Sequence, residues 1–166
     1  MSYRQTDDDL RHVALVGKEI LTHLPFKPGA CAHLTAYWVM LARERFKLPA
    51  QGVVGHLAIN GTLVFGKVGD DLSQAMRGAS LAWDGHCWLA LGNQIGEISL
   101  FRTAYSSKSP PLLRATILRQ FGEGCGVLLA TQEQWLETEL DYRAKRVLAD
   151  DEIEGLAHGT KEFYGF

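Results

Sequence analysis

Proline, cysteine and net charge are all in short supply here, and each shortage excludes something. The chain has five prolines in 166 residues and no low-complexity tract, which argues against a linker and for one domain spanning 1–166. A formal charge of −2, with 17 Lys and Arg scattered along the chain, lacks the basic stripe of a nucleic-acid binder. The densest basic stretch, Arg143 to Arg146, reads as the solvated face of a helix. No run approaches the roughly 18 uninterrupted apolar residues that cross a bilayer, so no membrane partner is expected. Three cysteines make an odd count, and the polar, acidic start from Met1 to Asp9 is the reverse of a signal peptide. Both point to reduced thiols in the cytoplasm. Glycines 52, 55, 61, 66 and 69 match no phosphate-binding fingerprint, and nothing marks a cofactor site.

What is present is ample apolar residue, 46% of the chain, in patterns that change period. Thr6 and the following aspartates cap a helix from Asp7 to about Leu24, with Leu10, Val13, Ala14, Ile20 and Leu21 at helical spacing. A second helix, Cys31 to about Phe46, is apolar nearly all round, which predicts a central, buried position. The period then becomes two. Gly52–Ile59 and Thr62–Phe65 flank Asn60-Gly61 as a hairpin. A short helix is expected around Asp71–Met76. A second hairpin follows, His86–Leu91 and Ile95–Phe101 about Gly92-Asn93. After a loop at Ser106–Pro111, Pro110-Pro111 open a helix through Leu118, ended by Gly122. Val127–Ala130 reads as a strand. Thr131 to Gln134 is a capping box and predicts a last long helix through about Leu148, then a polar tail after Asp150. The layout is α+β: a central N-terminal helix packed on an antiparallel sheet with further helices.

Cys31 stands out by position, because Pro28-Gly29-Ala30 leads straight into the buried helix. A helix start and a nearby imidazole both favour a thiolate, the nucleophilic form of cysteine. Gly29 allows close backbone approach, and the first-turn N–H groups around Ala30 are placed to bind an oxyanion. His86, in Trp83-Asp-Gly-His-Cys-Trp88, is the best base because it enters a strand from a glycine-containing loop. A two-residue turn at Gly92-Asn93 pairs Trp88 with Glu97 and His86 with Ser99. His86, Trp88, Glu97 and Ser99 then share a face, with Glu97 diagonal to His86. Glu97 is preferred as the acid that orients the imidazole, with Asp84 as competitor. Trp88 and Trp83 are candidates to wall a substrate cleft, and Trp88 is equally readable as core. His33 and His56 read as structural histidines, and Cys87 and Cys125 as plain packing. Cys31, His33, His86 and Cys87 hold the right atoms for zinc, but not its usual ligand spacing, so no metal is expected.

Gly-Ala-Cys31 opening a helix, Lys-Leu-Pro-Ala-Gln-Gly-Val-Val-Gly55, Gly-His86-Cys-Trp88 and an acid on the next strand together resemble the transglutaminase-like branch of the papain-like cysteine hydrolase fold. The resemblance covers roughly Gly29 to Leu100, with glutamate where that branch carries aspartate and a short spacing from histidine to acid. It implies a small bacterial family within that fold, with Cys31 as nucleophile, His86 as base and Glu97 as orienting acid. The expected function is acyl transfer, most simply hydrolysis of a peptide or small amide or ester through an acyl-thioester. The alternative is a non-catalytic module of the same fold that binds a peptide or partner. Substrate identity and oligomeric state are not written in the residues.

Overall fold

The computed structural model describes residues 3–66 and 85–166. Among them are six helices and one six-stranded antiparallel sheet, an α+β protein. The expected helix at Asp71–Met76, together with Trp83 and Asp84, lies outside the described residues.

Helix α1 (Asp7–His23) begins with a full capping box, Thr6 with Asp9, and three aspartates in its first turn complement the helix dipole. Helix α2 (Cys31–Phe46) is the central one. Trp38, fully buried on it, donates its indole N–H to the Val13 carbonyl of α1 at 2.8 Å. The same ring lies against Gly96, where an added Cβ would come within 2.9 Å of it.

Strand β1 (Gln51–Ile59) is the axis of the sheet. One of its edges is shared by two strands placed end to end. Strand β2 (Thr62–Phe65) pairs with Leu57–Ile59, and β3 (His86–Leu91) pairs with Gln51–Gly55. The turn between β1 and β2 has Asn60 and Gly61 at positive φ, the backbone that Asn-Gly supplies at least cost. Next come β4 (Gln94–Glu97) and β5 (Leu128–Thr131), completing the order β2-β1-β3-β4-β5. Strand β6 (Leu140–Val147) runs along the other edge of β1.

The sheet is covered on both faces. One carries Val54, Cys87, Leu89 and Leu91 against α1, α2 and the C-terminal α6 (Asp150–Tyr164). The other carries Val53, Leu57, Ile59, Trp88, Ile95 and Tyr142. Against these lie α3 (Leu100–Tyr105), α4 (Pro111–Phe121) and α5 (Gln132–Glu137).

Three expectations are corrected. The second strand of the second hairpin ends at Glu97; beyond it Leu100–Tyr105 coils into α3, burying Leu100, Phe101 and Ala104 together. The Thr131 capping box does start a helix, but it stops at Glu137, and β6 replaces the expected continuation. Its alternation Leu140-Asp-Tyr142-Arg has the strand period, and an unfilled edge of β1 outweighs helix propensity. Arg143 to Arg146 are thus strand residues rather than a helix face. The segment after Asp150 is a 15-residue helix with Ile153, Leu156 and Ala157 buried, because α2 is apolar nearly all round and needs cover on that side.

Gly55 permits this close assembly. It faces His86 across β1 and β3, at a register shift in the β1–β6 pairing. A Cβ there would strike the Arg143 carbonyl oxygen and come within 2.7 Å of the Trp88 ring. Backbone cannot yield as a flexible side chain does, so Gly55→Ala is expected to cost about 2–3 kcal/mol or more of unfolding free energy, read by urea denaturation. The control Gly61→Ala meets no atom within 4 Å at that position, and its loss comes only from the positive φ.

Candidate functional site

Sheet geometry alone brings the first three groups together. Gly55 and Leu57 point to one face of β1, and their partners across the edge, His86 and Phe65, point the same way. The end of β2 therefore meets the start of β3, and the Phe65 ring stacks on the His86 imidazole at 5.2 Å, 17° between planes. On the other side of β3, Leu89 faces Gly96 and Ala90 faces Ile95. Carried one step further, that register sets Glu97 opposite Trp88, as the two-residue turn implied. His86, Trp88 and Glu97 share a face.

His86 Nε2 is hydrogen-bonded to Glu97 Oε1, and both residues are buried, at 2% and 0% exposure. The same carboxylate oxygen accepts the Tyr142 hydroxyl at 2.9 Å. With Nε2 engaged, Nδ1 is the ring nitrogen left for another partner. Cys31 lines the same cleft as His86, and its sulfur lies near enough to the imidazole to help raise its pKa. Cys31 comes from the layer behind the sheet, yet reaches His86 because His86 is the first residue of its strand. The helix tip and the strand start meet at the sheet's end.

The electrostatics follow from this packing. Burial opposes the imidazolium, but Glu97 and the Cys31 sulfur outweigh it and raise the His86 pKa to about 10. Burial, reinforced by the Glu97 charge, pushes the Tyr142 phenol well above its usual value, so it remains an O–H donor. Burial likewise pushes the Cys87 thiol up. That neighbouring sulfur packs against α2 on the opposite face and stays protonated.

A cleft of about 220 Å³ opens over Cys31 and His86. It is lined by Phe26, Pro28 and Gly29 of the α1–α2 loop, by Phe65 and Gly85 beside the sheet, and by Ser99, Thr103 and Lys108. Gly29 has a φ of 77°, where only glycine sits without strain. Ala30 is the N-cap of α2 and offers no side-chain cap, so the first-turn N–H groups keep their hydrogen-bonding capacity toward the cleft. The loop is held in place by Arg102 of α3, whose guanidinium donates to the Leu21 and Leu24 carbonyls at the end of α1.

The other sequence candidates fall elsewhere. Trp88 is buried at 2% exposure, edge-on to Tyr142 at 5.1 Å. It supports the His86 face from within the core and does not line the cleft. Ser99 holds the N-cap position of α3 without a side-chain cap bond and does line it. His33 stacks on Phe163 at 5.5 Å between α2 and α6. His56, one residue beyond Gly55, faces the other side of the sheet and packs on Gly66. Among the described residues no group of three or more His, Cys, Asp or Glu is arranged to hold a metal ion. No helix there is long and apolar enough to cross a membrane.

Sequence reading missed Tyr142 and Phe65. The alternation around Tyr142 was the available signal for a strand, but nothing local names Glu97 as its partner. Compared with protein-family models, curated proteins and solved structures, the chain matches none.

Two outcomes follow. A folded-state pKa raised above the unfolded value stabilises fully below about pH 6.5 and ceases to do so as pH climbs through about 10. Unfolding free energy should therefore fall over that window, by on the order of a few kcal/mol. Replacing Glu97 by Gln should flatten the decline, measured by denaturant titration at stepped pH. Tyr142→Phe removes one donor to a buried carboxylate and should cost about 1.5–3 kcal/mol, while Tyr105→Phe, at a half-buried neutral bond to the Gly122 carbonyl, should cost less.

Proposed function

We propose that the chain is a cysteine-dependent acyl-transfer enzyme of the papain-like, transglutaminase-like kind, hydrolysing an amide or peptide bond. The observation that carries this reading is the line from Cys31, half-buried at the cleft, to the buried His86 and Glu97. A thiol borders the imidazole, a carboxylate holds its Nε2, and a cleft opens at the thiol end.

In the first half-reaction the Cys31 sulfur attacks the carbonyl carbon and the C=O electrons move onto oxygen. First-turn N–H groups at Ala30–Ala32 are the candidates to meet that charge. His86, already protonated at neutral pH, passes its Nδ1 proton to the departing nitrogen as the C–N bond breaks. An acyl-thioester on Cys31 and a free amine result. In the second half a water attacks the thioester. His86 accepts the water's proton, the C–S bond breaks, and a carboxylic acid leaves with the thiolate–imidazolium pair restored. Glu97 keeps Nδ1 aimed at sulfur throughout and balances the imidazolium. Tyr142, in turn, fixes the Glu97 rotamer.

The chemistry has a direct check. Cys31→Ser should remain folded by circular dichroism and lose labelling by an electrophilic acyl-mimic probe, with Cys87 and Cys125 unlabelled in both proteins. His86→Ala should slow labelling at pH 7 by about 10²-fold or more. Labelling of Cys31→Ser at the parent rate would remove Cys31 as the nucleophile. A folded parent that never reacts faster than a free thiol would leave the cleft as a binding site alone.

A further inference from the structure

The lining of the cleft mixes two kinds of residue. Phe26, Pro28 and Phe65 are apolar, whereas Ser99, Thr103, Ser106 and Lys108 bring three hydroxyls and one ammonium. Two observations on the polar residues ask for a ligand.

Ser99 is 6% exposed, and its Oγ is buried without a hydrogen-bond partner. An orphaned hydroxyl is costly to keep dry, and the residue that carries this one lines the cleft with Cys31 and His86. Its neighbour Ser106, by contrast, is already occupied, donating to the Thr103 carbonyl at 2.7 Å.

The second observation is charge. Among the described residues no Asp or Glu lines the cleft, and the Glu97 carboxylate is already bound by His86 and Tyr142. Lys108 is exposed at the mouth and forms no ion pair among the described residues. Among the described residues, a cationic substrate would meet the Lys108 ammonium and the His86 imidazolium with no carboxylate lining the cleft to offset them. A carboxylate would find a partner, while its aliphatic stem lay against the apolar residues of the lining.

We infer that this cleft selects peptide-like substrates carrying a carboxylate close to the scissile amide, with Lys108 pairing that carboxylate and Ser99 Oγ hydrogen-bonding the substrate's amide. The inference rests on the reading of Cys31 as nucleophile and adds to it the substrate class and two specificity residues. Lys108 sets preference through charge, and Ser99 sets registration of any amide substrate regardless of charge.

The test uses three matched acyloxymethyl ketone probes, built on glutamate, glutamine and lysine, with the second-order rate of Cys31 modification as readout. The glutamate probe should react faster than the glutamine probe by about fivefold, the scale of a partly exposed ion pair, and the lysine probe slowest. The gap should shrink in about 0.5 M salt and vanish in Lys108→Gln, in which the glutamine probe should still modify Cys31. Ser99→Ala should slow all three probes alike while its thermal midpoint stays level or rises, because an unpartnered buried hydroxyl has gone. Equal rates for the glutamate and glutamine probes, or a preference that survives in Lys108→Gln, would overturn the carboxylate assignment and leave the nucleophile standing. Unchanged rates in Ser99→Ala would overturn the role of Ser99. Failure of every probe to modify Cys31 would overturn the nucleophile and the substrate class together.

Discussion

A charged imidazole sealed inside a protein is tolerable only if its partners are fixed before it arrives, and here the sheet fixes them. His86 is all but inaccessible, and burial by itself would drive it neutral. Glu97 reverses that outcome, but a buried carboxylate raises the same difficulty in its turn. The Tyr142 hydroxyl eases it by supplying a second donor to the same oxygen. Three strands, β3, β4 and β6, each contribute one member. No single hairpin holds the set, so the imidazolium exists only once the sheet is complete.

The rest of the architecture serves that arrangement. Gly55 thins β1 where Trp88 and the β6 backbone crowd in; a side chain there would strike the Arg143 carbonyl and the Trp88 ring. Trp88 fills the space beneath the His86 ring, and Phe65 covers it. On the far face, Trp38 anchors α2 to α1 and to Gly96, which sets where the tip of α2 emerges. Arg102 ties the end of α1 to α3 and holds the intervening loop in place. The thiol is thereby delivered from one layer to an imidazole that belongs to the other.

Much of this was legible in local patterns. Capping residues and helical spacing marked α1 and α2, Asn60-Gly61 marked the first hairpin, and a two-residue turn at Gly92-Asn93 was enough to set the register that aligns Glu97 with His86. Legibility stopped where a segment's fate depended on a distant vacancy. Leu140–Val147 carries both charge and good helix formers, and only the open edge of β1 makes it a strand. Asp150–Tyr164 looks like a polar tail until the uncovered side of α2 is seen, against which Ile153, Leu156 and Ala157 then close. Leu100–Tyr105 has strand-like composition, yet coiling buries Leu100, Phe101 and Ala104 together.

Taken alone, the order of residues determined the α+β class, the position of Cys31 at the start of a buried helix, and the shared face of His86 and Glu97. These depend on periods of two and 3.6 and on turn chemistry, which act over a few residues. Tertiary structure alone decided that Tyr142 would complete the charge pair, that Trp88 would sit in the core, and that Ser99 and Lys108 would line the cleft over Cys31. Those outcomes require surfaces from remote parts of the chain to compete for the same space, and short-range pattern carries no record of who wins.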